Sequence, residues 1–183
     1  YKKVKKTLKN FEKDDNFYYW YRVKKEAQII AKQRNKKESL NYITAEFNKI
    51  EKPNNKILFD IANFYKNSKE YDQAIRYYSL IIDSLSDDSD IKAELLYRRG
   101  GSYERLKDFT NADKDLQNSL KINPNDAYVL NYLAYSWLER EYKINDAIEM
   151  LEKAYSKESN DPYIIDSIGW AYYLIDDFVK AEK

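Results

Sequence analysis

Small residues recur along this chain of 183 residues at intervals of 34 to 38 residues. The five positions are Ala27, Ala62, Gly100, Ala134 and Gly169. In the last four copies an aromatic residue follows three positions later, and an alanine follows after 12 or 13 positions. The copy around Ala27 is degenerate, with Ser39 and Ile43 in the matching positions. Recurrence in phase at such a period is typical of proteins built by repeating one supersecondary unit.

The clearest copy spans residues 93–126 and predicts two antiparallel helices joined by a short turn. Gly100 and Ala112 are small, so the two helices can cross closely, near the short end of the usual range of about 8–10 Å. Tyr103 fills the space beyond the crossing, and Pro124 ends the second helix because it has no backbone N–H. One hairpin cannot bury its apolar face alone, so each copy is expected to stack on its neighbours.

Residues 93–126 resemble a tetratricopeptide repeat (TPR) in the order and spacing of Leu96, Gly100, Tyr103, Ala112, Leu116 and Pro124. Arg99 stands where that family usually has a leucine. The resemblance implies an all-α fold, a right-handed α-solenoid (superhelix) of antiparallel TPR helix hairpins. The stretches NYLAYSWLEREYKINDAIEMLEKAY and DSIGWAYYLIDDFVKAEK are also similar to C-terminal repeats of bacterial TPR proteins, some of them envelope-associated adaptors. This second similarity implies a bacterial origin.

The repeat pattern predicts a single TPR array over residues 1–183. It divides into the second helix of a truncated repeat at 1–16, a degenerate repeat at 20–53, repeats at 55–88, 93–126 and 127–161, and a truncated repeat at 162–183. Helix pairs are predicted at about 17–34 and 37–51, 55–68 and 71–85, 91–106 and 109–121, 126–140 and 144–157, and 161–175 and 177–183. Because both ends cut through repeats, and arrays need polar capping elements, we expect the natural protein to be longer.

The composition argues against catalysis and against a cofactor or metal site. The chain contains no histidine and no cysteine, so the commonest general acid or base and the thiol nucleophile are both missing. The acidic loop at 83–90 lacks the central glycine and the terminal glutamate of a calcium loop. No apolar run reaches the roughly 18–20 residues of a membrane span. We therefore expect a protein that is not an enzyme and that has no cofactor, metal or transmembrane segment.

Charge is unevenly distributed along the chain, although its formal net charge is only +1. Residues 1–56 hold 16 basic and 7 acidic side chains, a net charge of +9. Residues 57–183 hold 16 basic and 24 acidic side chains, a net charge of −8. The gradient is compatible with ordinary solvated helix faces. It is also compatible with a basic end that meets an acidic protein, lipid headgroups or nucleic acid.

The first helix of each TPR hairpin lines the concave surface of such an array, so the resemblance implies which residues contact a partner. These candidates are Lys24, Gln28, Phe59, Asn63, Tyr97, Tyr128, Asn131, Tyr135, Tyr163, Trp170 and Tyr173. They run from Lys- and Asn-rich to strongly aromatic, and rigid aromatic rings are typical anchors of protein interfaces. Four other aromatic residues occupy the structural position of the family and are expected to pack between helices: Tyr65, Tyr103, Trp137 and Tyr172.

One TPR subtype clamps the C-terminal carboxylate of chaperones with Lys and Asn on one repeat, Asn on the next, and Lys and Arg on the third. Lys24 and Arg98 match that pattern, and Gln28 is similar to the residue that it replaces. Asp60 and Glu94, however, stand where the subtype has Asn and Lys. Two acidic substitutions would repel a carboxylate, so the sequence predicts that this clamp is absent.

The sequence thus predicts a non-catalytic adaptor that holds a partner protein or an extended peptide in the concave groove. Two alternatives remain: binding of RNA or another acidic surface by the basic N-terminal helices, and a structural spacer within a larger envelope-associated protein. RNA binding is less favoured, because the net charge of −8 in the remainder of the chain would repel phosphate. Both a cytoplasmic and a periplasmic or envelope-associated location are compatible with the sequence, as is any oligomeric state.

Overall fold

The computed structural model describes residues 16–87 and 89–182. Within these ranges all regular secondary structure is α-helical, which confirms the predicted fold class. The helices are α1 (Asn16–Gln33), α2 (Lys36–Phe47), α3 (Asn55–Asn67), α4 (Tyr71–Ile82), α5 (Asp90–Arg105), α6 (Phe109–Ile122), α7 (Ala127–Leu138), α8 (Ile144–Lys157), α9 (Pro162–Leu174) and α10 (Phe178–Ala181). The helix predicted for residues 1–16 lies outside the described ranges, apart from Asn16, where α1 begins.

Two compact units divide the chain, residues 1–84 and residues 85–183. The first contains the hairpins α1–α2 and α3–α4, and the second contains α5–α6, α7–α8 and α9–α10. Consecutive helices pack against each other within every hairpin, as the repeat pattern predicts. The division falls in the loop between α4 and α5, which with seven residues is as long as the α2–α3 connection and longer than the other connections between described helices.

The first unit is packed around the small and β-branched residues of the repeat pattern. Ala27, Ile43, Ala62 and Ala74 are completely buried. Ser39 occupies the alanine position of the degenerate copy, and its Oγ donates a hydrogen bond of 2.6 Å to the carbonyl oxygen of Ala27. Because this hydroxyl has a partner, the polar substitution leaves no unsatisfied group at the helix crossing.

The core of the second unit is built from α6, α7, α8 and α9, with Leu116, Leu133, Ala147 and Leu151 at its centre. Gly100 lies at the α5–α6 crossing, where a Cβ atom would be 3.0 Å from Cγ of Leu116 and 3.3 Å from the carbonyl oxygen of Ala112. Its lack of a side chain is therefore what permits the close approach. A Cβ at Gly169 would meet only the carbonyl oxygen of Ala181, at an ordinary 3.5 Å.

Each first helix from α3 onwards ends in the same backbone turn. A residue in the left-handed region follows the helix at Lys69, Lys107, Glu141 and Asp176. The next backbone N–H then donates to the carbonyl oxygen five residues earlier, which belongs to Tyr65, Tyr103, Trp137 or Tyr172, at 2.9–3.0 Å. This is the Schellman arrangement, which satisfies carbonyl groups at a helix end. It reverses the chain into the second helix of each hairpin.

Candidate functional site

The predicted partner-binding residues divide into two groups once their surroundings are known. One group is engaged in contacts within the protein. The other group lies on α7 and α9, two neighbouring helices of the second unit, and is exposed except for Asn131. Gln28 of the first unit belongs to neither group.

Four of the predicted residues lie in the first unit, and three of them have internal partners. Nζ of Lys24 forms an ion pair of 2.6 Å with Oδ2 of Asp60, which also accepts a hydrogen bond of 3.0 Å from Nε1 of Trp20. Asn63 donates to the carbonyl oxygen of Phe59 at 2.9 Å and accepts from the hydroxyl of Tyr78 at 2.8 Å. The fourth predicted residue, Gln28, is exposed.

Phe59 is half-buried, with its ring centroid 6.4 Å from that of Tyr78. The contacts of Lys24, Phe59 and Asn63 hold helices of this unit together. Because these side chains already have partners within the protein, the prediction that they contact a partner protein is weakened.

Tyr97 of α5 packs against a residue that the sequence did not single out. Its ring meets that of Tyr132 edge-on, with centroids 5.7 Å apart, and the Tyr132 hydroxyl donates to Oε2 of Glu104 at 3.1 Å. A Cβ at Gly101 would lie 3.3 Å from the Tyr132 hydroxyl oxygen, so the glycine makes room for this ring. Burial raises the pKa of both Tyr97 and Tyr132, with further contributions from nearby carboxylates. The sequence signal for this contact was Gly101, a small residue at a lining position.

Five predicted rings are substantially exposed, and all of them lie on α7 or α9. Their exposed fractions are 54% for Tyr128, 41% for Tyr135, 78% for Tyr163, 38% for Trp170 and 55% for Tyr173. Trp170 and Tyr173 stack, with centroids 5.6 Å apart and planes at 16°. Tyr173 also meets the ring of Phe178 edge-on at 5.7 Å. We call this region the α7–α9 surface, defined by Tyr128, Asn131, Tyr135, Glu139, Tyr163, Asp166, Trp170 and Tyr173.

The α7–α9 surface carries negative charge beside its rings. Hydrogen bonding to Glu139, burial, and the charges of Glu139 and Asp166 raise the pKa of Tyr135. Asp166 lies on α9, which packs against α7. Asn131 is half-buried, and its Oδ1 atom has no hydrogen-bond donor among the described residues.

The two acidic residues that depart from the carboxylate-clamp pattern each pair with one of the two cations that match it. Asp60 is the ion-pair partner of Lys24, and Oε1 of Glu94 is 2.6 Å from Nε of Arg98. Each cation that matches the clamp pattern thus has an internal carboxylate. The arrangement opposes capture of a second, external carboxylate.

The four aromatic residues at the structural position of the repeat are at most half-exposed. Tyr65, Trp137 and Tyr172 are buried, and Tyr103 is half-buried. The Tyr172 hydroxyl donates to Oε1 of Glu152 at 2.7 Å. Burial, this hydrogen bond and the charge of Glu152 raise the pKa of Tyr172 to about 12. These rings act in packing, as expected.

In residues 16–87 and 89–182, no group of three or more acidic side chains is arranged to hold a metal ion. None of the described helices is long and apolar enough to cross a membrane. An open cavity of about 620 Å³ lies in the first unit beside Thr44, Tyr65 and Tyr77. It contains none of the predicted partner-binding residues.

Comparison with known proteins agrees with the repeat pattern. Tetratricopeptide-repeat family models match residues 93–126 and 56–84. A TPR repeat-containing protein from Pseudomonas aeruginosa is 30% identical over 132 residues, which cover 63% of this chain and 22% of that protein. The chain thus spans about a fifth of the length of this curated relative, which is bacterial, in line with the expected origin.

Solved structures of low sequence identity share the fold. MamA from Desulfovibrio magneticus has a TM-score of 0.69 and 18% identity, with 90% of this chain and 89% of that chain covered. The first TPR of Spaghetti, bound to the HSP90 peptide SRMEEVD, has a TM-score of 0.59 and 20% identity, with 67% and 93% covered. At these identities the likeness concerns the fold alone, and that fold is the TPR α-solenoid.

Proposed function

Because this chain is a tetratricopeptide-repeat protein and therefore a protein-interaction module, we propose that it holds an extended segment of a partner protein against the α7–α9 surface. It does so as a non-catalytic adaptor. The observation that carries this proposal is the set of five exposed rings on two neighbouring first helices. Tyrosine and tryptophan offer large contact area at a small cost in side-chain entropy, and their polar atoms remain available for hydrogen bonds.

The internal contacts of the other candidates support the choice of this surface. Lys24, Asn63 and Tyr97 already have partners within their own units, whereas the rings of Tyr128, Tyr163 and Trp170 face solvent over much of their area. A contiguous exposed apolar patch on a folded domain commonly marks an interaction site. The aromatic end of the predicted groove is therefore the better candidate.

The peptide-bound relative indicates what kind of occupant to expect and what kind to reject. A domain of this fold holds the HSP90 peptide SRMEEVD, which contains three acidic residues. In this chain Lys24 and Arg98 are each neutralised by an internal carboxylate. We propose an extended protein segment as the ligand, and not an acidic C-terminal tail.

Affinity capture with a matched control tests this proposal. The native chain would be compared, on lysate of the source organism, with a Tyr128→Ala, Tyr135→Ala, Trp170→Ala triple variant and with a Tyr142→Ala, Tyr155→Ala control. Both control tyrosines are exposed, at 45% and 42%, but lie outside the α7–α9 surface. Circular dichroism would verify folding of every variant.

We expect a specific protein to be retained by the native chain and by the control variant but lost by the triple variant. Equal retention by all three would move binding to another surface. Absence of any specific capture would favour the structural-spacer hypothesis.

The basic N-terminal part supports a second candidate function, binding of RNA or another acidic surface. Residues 1–56 have a net charge of +9, and Lys32, Lys36 and Lys37 are exposed. Phosphate binding by such side chains weakens steeply between about 50 and about 200 mM salt, because it depends on counterion release. Filter binding of single-stranded RNA would support this candidate if retention fell with salt and with the Lys32→Gln, Lys36→Gln, Lys37→Gln substitutions. Lack of retention at the lower salt concentration would reject it.

A further inference from the structure

The two helices of the α7–α9 surface contain no lysine and no arginine. Asp166 is the only charged residue within Ala127–Leu138 and Pro162–Leu174. The flanking positions add Asp126 and Asp161 as N-caps and Glu139 as the residue that follows α7. The exposed rings are thus bordered by negative charge alone within these two elements.

Aromatic rings elsewhere in the second unit are covered by internal cations. Nζ of Lys143 lies 4.8 Å from the ring centroid of Trp137, and Nζ of Lys180 lies 4.8 Å from that of Tyr172. The guanidinium of Arg140 lies 4.5 Å from the ring centroid of Phe109. Within the part of the chain that the structure describes, no cation lies over any of the five rings of the α7–α9 surface. Trp170 and Tyr173 stack on each other, so each of these two rings has at most one face available to an external cation.

The carboxylates of the surface likewise lack cationic partners. Elsewhere in this unit Glu94 pairs with Arg98, and Asp113 pairs with Arg140 at 2.8 Å. Among residues 16–87 and 89–182, neither Glu139 nor Asp166 forms an ion pair. Both are exposed. Over the described ranges, the surface therefore combines carboxylates that have no ion-pair partner with rings that have no internal cation over them.

From these features we infer that the occupant of the α7–α9 surface is a cationic, extended protein segment. Its arginine or lysine side chains lie over the rings of Tyr135 and Trp170 and beside Glu139 and Asp166. A cation over an aromatic face is attracted by the ring quadrupole, and complementary charge selects this partner over an acidic one. The inference rests on the proposed function and adds the chemistry of the segment.

Peptide binding measured by fluorescence anisotropy tests the charge requirement. The probe is a fluorescein-labelled peptide in which arginine alternates with glycine and proline, and the control probe has glutamate in place of every arginine. Three forms of the whole chain are compared: native, Glu139→Gln with Asp166→Asn, and Asp146→Asn with Glu149→Gln. The last is the matched control, since it removes the same two charges from exposed positions on α8.

We expect the arginine peptide to bind the native chain and to bind the Glu139→Gln, Asp166→Asn variant about five- to tenfold more weakly. The α8 control should change the affinity less than twofold, in keeping with the roughly 10 Å screening length at moderate salt. The glutamate peptide should not bind. A Tyr135→Leu, Trp170→Leu variant keeps apolar area but removes the π faces, and it should also bind the arginine peptide more weakly.

Three results would overturn the inference. The first is equal binding of the two peptides by the native chain, and the second is an equal loss in both charge variants. The third is absence of arginine-peptide binding while the captured protein still depends on Tyr128, Tyr135 and Trp170. That third result would leave the proposed function intact and remove only the cationic chemistry.

Discussion

At the scale of single residues, Arg99 is the clearest departure from the repeat pattern. It occupies a position where TPR proteins usually have a leucine, and it forms two hydrogen bonds to Asp115, at 2.6 and 2.8 Å. The Asp115 side chain is only 5% exposed. A buried ion pair of this kind depends on both partners, because removal of one leaves an uncompensated buried charge.

Arg99→Leu, which restores the usual leucine, should therefore destabilise the protein. We expect a loss of about 3–5 kcal/mol in the free energy of unfolding, since Asp115 is left buried without its cation. The Arg99→Leu, Asp115→Ala double variant should recover most of that loss because no buried charge remains. Urea unfolding followed by circular dichroism measures both. Equal stability of native chain and Arg99→Leu would show that this pair is energetically unimportant.

The two glycines at equivalent positions should respond differently to alanine. Gly169→Ala should raise the free energy of unfolding by about 0.5–1 kcal/mol, since alanine favours the helix and has room there. At Gly100 the same change forces Leu116 to shift, and overpacking costs about 1–3 kcal/mol, so the gain should vanish or become a loss. Thermal melting of the two variants compares them directly. A gain of equal size at both sites would contradict the observed difference in packing.

Residue identity and spacing were enough to predict the packed aromatic position of each repeat, which is buried in three repeats and half-buried at Tyr103. They were not enough to predict which lining residues stay free of internal contacts. Lys24, Asn63 and Tyr97 occupy lining positions, yet their partners Asp60, Tyr78 and Tyr132 come from elsewhere in the chain. Pairings of this kind depend on how neighbouring helices are placed. The repeat pattern assigns a face to each residue, and it does not assign a partner.

At the scale of elements, the turns of the hairpins have residues other than glycine in the left-handed backbone conformation, where glycine would be less strained. The left-handed positions Lys69, Lys107, Glu141 and Asp176 would each suit glycine, because a Cβ atom is disfavoured in that conformation. The α7–α8 turn has five residues where the α3–α4, α5–α6 and α9–α10 turns have three, and it contains a second left-handed residue, Lys143. Helix bounds were predicted to within a few residues, whereas these backbone conformations were not, since no glycine marks them.

Lys107→Gly should stabilise the α5–α6 hairpin, because Lys107 has a φ of 61° in the native chain and glycine adopts this left-handed conformation without strain. We expect the free energy of unfolding to rise by about 0.5–1 kcal/mol. Glycine relieves the left-handed strain, and the greater conformational freedom of the unfolded chain offsets part of that relief. Lys114→Gly is the matched control: Lys114 is exposed within α6, where glycine should cost about 1 kcal/mol. Chemical denaturation should move the two midpoints in opposite directions. A shift in the same direction would mean that the turn is not strained.

At the scale of the whole molecule, the small net charge conceals an uneven distribution of charged residues. The basic excess lies in residues 1–56, whereas α7 and α9 carry aromatic rings and a single charged residue, Asp166. The gradient of the predicted groove was visible in the sequence. The structure was needed to show which rings have an internal cation over them. Among the described residues, Trp137 and Tyr172 do, whereas the exposed rings of α7 and α9 do not.

The most direct test of binding at the α7–α9 surface uses the three tryptophans as internal reporters. Trp20 and Trp137 are buried, and Nε1 of Trp20 donates to Asp60, whereas Trp170 is 38% exposed on the surface itself. The indole N–H signals of the ¹⁵N-labelled chain would be recorded by NMR while the arginine peptide is added. Trp170→Phe assigns the Trp170 signal. We predict that this signal shifts progressively while those of Trp20 and Trp137 stay in place. Saturable peptide binding that leaves the Trp170 signal unchanged would contradict the account.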